Sequence, residues 1–404
     1  MNDTLPPLRR DLEFFPIQHG GQQLILIRDH LGLVQEGKAV PVPIYRIMAQ
    51  LDGTSTIRDL QMDLMRQRGG VLVGTDEVKD LLSSLDESFF LDSERFRTAR
   101  DRIVEDFASK RVRACSHCGI AYPENPLELR NRLDEILSSQ PNDRLQEEKI
   151  VGLVSPHIDL SVGYKVYSSA YGILKKAPSR IMLLGVGHHV VDNLFSLTDK
   201  DFETPLGVVK NDTAAVRKLR EAGRDIIAPN DFAHRSEHSI EFQVIFFQHL
   251  FPEENLTIIP ILCGFIQSNL PEYDRKTYLE MTKPFREQLK EIIMEPDEET
   301  LLLAGVDFSH IGPKFGHEMP AEYLKNQSET HDKNLLKYLS ILDADHFWQE
   351  SRDVKDQFNV CGFSALACML EVLPPCTGKI LNYQFWHEEA TRSAVSFSAV
   401  VFTS

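Results

Sequence analysis

The sequence predicts an α/β fold: a central, mostly parallel sheet flanked by helices, preceded by a small N-terminal winged-helix-like domain. Two observations predict it. From Lys149 onward, apolar runs of strand length alternate with longer segments of helical periodicity, the pattern of a sheet covered by helices. Three of these runs also end in polar residues that include a histidine. They read VGLVSPHID (His157), RIMLLGVGHH (His188, His189) and TLLLAGVDFSH (Asp307, His310). In open α/β sheets the carboxyl ends of the strands form the ligand crevice, so groups leaving three strands there converge although distant in sequence.

Composition sets the outer limits. A chain of 404 residues with 42% hydrophobic content can bury a large core, and its length favours two domains or one large domain with an appendage. The formal net charge of −16 argues against a nucleic-acid partner, because phosphate binding needs a local Lys/Arg excess. No stretch approaches the roughly 18 to 20 continuous apolar residues of a membrane helix. The opening MNDTLPPLRRDLEFF has no signal-peptide apolar region, so a soluble cytoplasmic protein without membrane contacts is expected. Six cysteines (Cys115, Cys118, Cys263, Cys361, Cys368, Cys376) spread over such a chain predict reduced thiols rather than a disulfide framework.

The N-terminal hundred residues have their own grain. An extended opening includes QQLILIRD, and three helical patterns follow: VPIYRIMAQLDG, TIRDLQMDLMRQRGG with Thr54 or Ser55 as cap, and TDEVKDLLSSLDESFFL. The short VLVG between the last two is expected as a strand or wing. With 12 Lys/Arg against 15 Asp/Glu over residues 1–100, docking of a peptide or partner is more natural than groove binding to DNA. The segment resembles, in pattern and size, the small carrier domains of the PqqD type, which hold a substrate peptide by strand addition in radical-SAM peptide-modifying systems. Domain bounds follow as 1–98 for this module, 99–113 for a charged linker helix, and 114–404 for the α/β domain.

Within the larger domain LELRNRLDEILSSQ reads as an amphipathic helix. Strands are predicted at 150–155, 180–186, 257–262, 300–306, 379–385 and 394–402. Helices fall near 163–176, 212–222, 238–250, 276–294, 332–340 and 361–373. The last two strand runs, KILNYQF and AVSFSAVVF, suit antiparallel additions to the sheet.

Several residues in this frame can carry chemistry. His157, directly after a strand, has a fixed backbone and an open front, which suits a metal ligand or a general base; the alternative is a hydrogen-bonded structural histidine. Asp159 is placed to orient that ring or to face substrate. Gly185 and Gly187 let the chain before His188 and His189 turn tightly. Adjacent side chains leave an extended chain on opposite sides, so one of the two histidines is expected as a ligand and the other in packing. In NDFAHRSEHSIEFQVIFFQHL, Glu237 and Glu241 share a helix face while His238 points about 100° away. His238 is a catalytic or substrate-gripping candidate, with a structural role as the alternative. His234 and His238 make HxxxH, but no glutamate follows His234, so the HExxH metalloprotease signature is absent.

Asp307 and His310, three apart, are placed to meet on one turn as an acid/base pair. Cys361, in FNVCGFSA, stands where an extended segment turns into a helix; the macrodipole there favours thiolate, the form that binds metal or attacks carbon. An inert buried thiol is the alternative, and it fits Cys263 and Cys368 better. Cys115 and Cys118 form a lone CxxC around His117; a zinc ribbon needs a second pair, so thiol chemistry or a contribution to a metal site is only the minor reading of this segment. The chain has no GxxxxGK[ST] phosphate loop, no CxxxCxxC cluster motif and no GxSxG elbow, so phosphoryl transfer and serine hydrolysis lose ground.

Taken in order, GIAYPENPLELRNRL, SPHID, LLGVGHH, TPLG (204–207), EHSIEFQ, TIIPIL, GVDFSH, NVCG and SAVSFSAVVF resemble the Memo family, the B component of the bacterial AmmeMemoRadiSam system. The likeness runs over about residues 114 to 403. It implies kinship with class III extradiol dioxygenases, whose non-heme iron sits at the strand edge of an α/β domain. It further implies a metal held by His157, His188 and Cys361, with Fe(II) foremost and Cu or Zn as alternatives. Asp307, His310 and His238 would be catalytic groups in the same pocket. The implied function is a dioxygenase-like oxidoreductase acting on a small molecule or peptide beside a radical-SAM partner; the alternative is a non-catalytic copper- or iron-binding redox or partner-binding protein. Many members carry PHAGY where this chain has PHIDL, and the dioxygenases use a carboxylate where Cys361 stands. Thiolate is the softer donor, favouring copper(I) or zinc.

Overall fold

The computed structural model describes residues 4–141 and 149–404, and the chain divides into two compact units, Met1–Ser109 and Lys110–Ser404. In the first unit β1 (Leu12–His19) and β2 (Gln22–Asp29) form an antiparallel hairpin. Its turn residues, Gly20 and Gly21, have φ of +58° and +78°, which glycine adopts without steric cost. Strand β3 (Ala39–Pro41) pairs with β2, and four helices follow: α1 (Val42–Met48), α2 (Ile57–Gln67), α3 (Thr75–Glu87) and α4 (Glu94–Ser109). Thr56, not Thr54 or Ser55, caps α2, in a reciprocal box with Asp59. The expected strand or wing in VLVG does not form: Val71 and Leu72 are 60% and 83% exposed, so the run has no apolar face to bury, and only Val73 reaches the core. Arg9 is buried and hydrogen-bonds Asp29, Asp11 and the Phe89 carbonyl. Every guanidinium bond to Asp29 is charge-assisted, which offsets the cost of burying both groups.

The second unit begins with β4 (Val112–Arg113), α5 (Pro126–Leu137), β5 (Ile150–Ser155), α6 (Leu160–Tyr171) and β6 (Arg180–Val186). It continues with β7 (Phe195–Leu197), β8 (Asp201–Thr204), β9 (Gly207–Asn211), α7 (Thr213–Gly223), α8 (His238–Leu250) and β10 (Thr257–Cys263). Next come α9 (Ile266–Asn269), α10 (Arg275–Ile293), β11 (Thr300–Gly305), β12 (His310–Ile311), α11 (Ala321–Ser340), α12 (Ala344–Val354) and α13 (Phe363–Val372). The antiparallel pair β13 (Thr377–Glu388) and β14 (Ser393–Thr403) closes the chain. The charged run 97–113 is helical only to Ser109, and Val112–Arg113 pairs instead with β8.

Along the sheet the order is β12-β14-β5-β11-β6-β10-β9-β8-β4, with β13 beside β14 and β7 beside β10. The four central strands, β5, β11, β6 and β10, run parallel. Alternation of side chains feeds two cores. Val154, Met182, Leu184 and Ala304 face α10 and α13 on one side. Leu153, Ile181, Leu183 and Leu303 face α6 and α8 on the other. Among the described residues no helix is long and apolar enough to cross a membrane.

Two features of this sheet place the site. First, β11 inserts between β5 and β6, and the register sets Ser155, Gly305 and Gly185 side by side. The residues just beyond them, His157, Asp307 and His188, therefore leave the sheet level with one another. Second, α8 comes down onto those strand ends. A Cβ on Gly185 would stand 2.5 Å from Ser239 Oγ and 2.7 Å from Ile240 Cγ1, and one on Gly305 would collide with the Ser239 carbonyl and Gln243. Only hydrogen at both positions lets the first turn of α8 pack so closely.

The cysteine expectation needs one correction. Cys115 and Cys118 are joined by a disulfide, while Cys263, Cys361, Cys368 and Cys376 are free. The two-residue spacing and a turn at 117–121 bring the Cα atoms to 5.9 Å, within ordinary bridging distance.

Gly305→Ala should destabilise the protein by about 1–3 kcal/mol, since the methyl must displace α8 backbone. Gly74→Ala, with nothing within 4 Å of the added carbon, should cost only about 0.5–1 kcal/mol, the preference of an N-cap for glycine over alanine. Denaturant midpoints of the two variants check the contrast.

Candidate metal centre

His157 is held by two contacts that follow from its place after β5. Its backbone N–H donates to Asp307 Oδ1 at 3.1 Å, and its Nδ1 lies 3.2 Å from the Gly305 carbonyl oxygen. A carbonyl only accepts, so Nδ1 carries the hydrogen and Nε2 keeps its lone pair. Burial, with the neighbouring His188 second, pushes the imidazole down to about 3. The ring is thus neutral at ordinary pH, the form that binds a metal.

The same logic holds for His188, with a carboxylate as the acceptor. Glu237 Oε2 lies 2.9 Å from His188 Nδ1 and accepts the His188 backbone N–H at 3.3 Å. Its other oxygen accepts the backbone N–H groups of His238 and Ser239 at 2.9 Å each, capping α8. Burial works against ionisation of Glu237, but the charges and hydrogen bonds of His188, with His238 adding to them, hold it well below the usual carboxylate range. The expected shared face of Glu237 and Glu241 does not arise, because Glu237 is the cap rather than a helical residue. Glu241 turns instead to Arg113, Tyr122 and the backbone N–H groups of Ser116 and His117. Arg113 also donates to the His234 and Glu237 carbonyls at 2.9 and 2.8 Å, tying β4 to the approach of α8.

Cys361 reaches the cluster from the segment before α13. Its Sγ lies 3.9 Å from His157 Nε2 and donates to the Asp307 carbonyl at 3.5 Å. In the metal-free protein burial, and then the charge of Asp307, push the thiol well above its usual value. This corrects the expectation of a thiolate favoured by the helix: desolvation of a buried anion outweighs the terminus of a short helix whose N-cap is Gly362. A cation beside the sulfur reverses that balance. Cys263 and Cys368 are fully buried with thiols raised by burial, as inert core cysteines should be.

Three candidate donor atoms, from His157, His188 and Cys361, lie within 4.8 Å of one another, and a second set of the same kind is His188, Glu237 and His238. The hydrogen bonds separate the two sets. Glu237 already accepts four N–H groups, whereas His157 and His188 each have the nitrogen opposite Nε2 satisfied. The first set fits a metal and the second reads as its support.

The remaining candidates sort as follows. His238 stacks on His188 with ring centroids 5.3 Å apart, and both side chains are 31% exposed, so they form the accessible wall. Asp307 is buried, and burial pushes its carboxyl up to about 6 against the opposing charge of His310. Residues 306–309 form no helical turn, so Asp307 and His310 act on each other through charge rather than through the expected i,i+3 geometry. His310 Nδ1 bonds the Phe308 carbonyl at 2.9 Å, and burial lowers its basicity. Asp159 is a cap: its carboxylate accepts the Ser161 N–H at 2.7 Å, and the Gly305 carbonyl orients the His157 ring that Asp159 was expected to hold. His189 is exposed. His234 is buried with Nε2 at 3.1 Å from the Ser196 carbonyl, outside both donor sets. A cavity of about 910 Å³ lies at the opposite, amino-terminal edge of the strands, and its lining has no histidine or cysteine.

Comparison with known proteins joins this geometry to a family. A model described as Memo-like protein matches residues 113–401. The chain belongs to the Memo-like family. A MEMO1 family protein of Aquifex aeolicus is 32% identical over 399 residues, covering 98% of this chain and 100% of its own length. One of Thermus thermophilus is 28% identical, covering 86% of this chain and 98% of its own. Another, of Nitrosopumilus maritimus, is 27% identical over 68% of this chain and 94% of its own. The first of these Memo-like relatives therefore extends through the N-terminal unit as well.

Glu237→Gln should weaken metal binding by about 10–100-fold, the usual cost of losing an orienting carboxylate; a competition titration with a metal indicator reads it. Stability should also fall in acid. Burial lowers His234 to about 4, so between pH 6.5 and 4 the unfolded chain binds a proton that the folded one refuses, and stability is lost as pH drops through that window. Urea unfolding at pH 7 and pH 4.5 measures the loss, and His234→Gln should reduce it.

Proposed function

We propose that the Memo-like unit is a non-heme metalloprotein in which His157, His188 and Cys361 hold Fe(II), and that it acts as a dioxygenase-like oxidoreductase. The reading rests on one observation. Two imidazoles, each with Nδ1 tied to an acceptor, have a ring nitrogen within reach of one free thiol at the shared end of three strands. The metal would supply a Lewis acid and a one-electron redox centre there.

The chain's own groups supply the rest. Gly305 and Glu237 fix the two rings, so ligand geometry needs no reorganisation on binding. His238, at the accessible wall, is placed to grip a polar group of the substrate or to take its proton. Asp307, with a carboxyl raised to about 6, can hold or release a proton near neutral pH, and the less basic His310 is the matching acceptor. For a substrate we propose a small aromatic molecule or a peptide. In a radical-SAM-associated setting the N-terminal unit would present the peptide by strand addition, as in the PqqD-type carriers it resembles; among the described residues β1 pairs only with β2 along its length.

Softness of the Cys361 thiolate favours a second reading, a copper- or iron-binding redox protein without turnover. One experiment separates the two. Anaerobically purified protein is loaded with Fe(II) or Cu(I), and oxygen uptake is followed with candidate aromatic substrates and peptides. Substrate-dependent uptake in the iron form supports the enzyme. Full occupancy with no uptake, together with Cu(I) binding lost by at least about 100-fold in Cys361→Ala, supports the non-catalytic protein, since such a variant removes the softest donor. Retention of both metals in that variant overturns the ligand set.

A further inference from the structure

We propose that the Cys115–Cys118 pair is a thiol–disulfide exchange site, reduced by a protein dithiol of the thioredoxin class, and that His117 passes its redox state to the wall of the metal pocket. The bridge is accessible: both cysteines are half-buried, Ala114 and Gly119 on either side are exposed, and Ile120 is 83% exposed. A docking protein thus finds an apolar contact beside the sulfurs.

Holding the fold is not what this bridge is needed for. It closes a loop with only two residues between the cysteines, the length at which chain-entropy stabilisation is smallest. Other bonds already shape the loop. The Gly119 N–H donates to the Tyr122 carbonyl at 2.7 Å and the Ala121 N–H to the His117 carbonyl at 2.9 Å. Ser116 and His117 donate backbone N–H groups to Glu241 at 3.1 and 2.9 Å, and Arg113 bonds Ser116 Oγ at 2.8 Å. Opening the S–S bond leaves these in place.

The residue that the bridge encloses reaches the wall of the pocket. The His117 ring lies 5.3 Å from His238 and 5.8 Å, edge-on, from Phe242. His238 in turn stacks on His188. When two bonded sulfurs become two thiols they separate to van der Waals distance; with the Ser116 and His117 backbone anchored on Glu241, the displacement falls on the side chains of the turn, among them the His117 ring, whose Nδ1 lies 2.8 Å from Ser116 Oγ. His117 then shifts against His238.

The exchange balances as follows. A thiolate of the incoming dithiol attacks one sulfur of the bridge, the S–S bond breaks, and the other cysteine leaves as a thiolate and takes a proton. The partner's second thiolate attacks the mixed disulfide and releases the remaining cysteine. Two electrons and two protons pass to Cys115 and Cys118, and the partner becomes a disulfide.

The test uses the full chain, metal-free, with reduced thioredoxin under native anaerobic conditions. Accessible thiols are alkylated and located by peptide mass, and imidazole NMR signals of His238 are assigned with His238→Gln. Cys115 and Cys118 should become alkylated with the fold intact, and the His238 signals should shift. In a Cys115→Ser, Cys118→Ser double variant the reductant should move nothing. His117→Leu should keep the exchange but lose the His238 response. A bridge that opens only on unfolding, cysteines already reduced in air-purified protein, or reduction that leaves His238 unmoved would each overturn the proposal. Neither readout uses a metal ion, so failure here is distinguishable from failure of the metal assignment.

Discussion

The carboxylate of Glu237 joins the scaffold to the site. One oxygen ends the orphan N–H groups of α8 and the other holds Nδ1 of His188, so the helix cannot be seated without orienting the ring. That dual use demands that α8 lie almost on the strand ends, which Gly185 and Gly305 allow. It also demands an ionised carboxylate in a buried place. Imidazole donors and two helix N–H groups at close range supply what water would have supplied.

Arg113 and Glu241 extend the arrangement outward. Both are buried, and an unpaired charge of either kind would be costly there. Arg113 is satisfied by two carbonyls and a hydroxyl besides Glu241, and Glu241 by Tyr122 and two backbone N–H groups besides Arg113. A pair so fully satisfied contributes position more than stability. It brings the CxxC loop to α8, and through His117 the loop touches the wall of the site.

Part of this was legible in the residues. Apolar runs ending in SPHID, GVGHH and GVDFSH mark strand ends in any chain, since burial of a central parallel strand demands continuous apolar side chains. The motifs from Ala114 onward pointed to the family that the comparisons then showed. Less legible were the roles inside the crevice. Asp159 looked like the partner of His157 because it is near in sequence, yet its side chain is consumed by its own helix N-terminus. Asp307 and His310 do act on each other's charge, but not through the helical turn that their spacing suggested, because residues 306–309 form none. Cys361 looked like a thiolate because a helix follows it, but burial decides against the charge when no cation is present. Glu237 read as a helical residue, and nothing local shows that a residue 49 positions away will supply its imidazole partner.

By itself the sequence determined the class of fold, the family and the list of chemically able side chains at strand ends, because these depend on local hydrophobic patterning and residue type. Tertiary structure alone decided which of them meet. Insertion of β11 between β5 and β6 sets His157, Asp307 and His188 level, and the descent of α8 adds Glu237 and His238. The physical reason is that strand order and register are set by packing across the whole sheet, and hydrogen bonds formed at that distance then choose tautomer and charge.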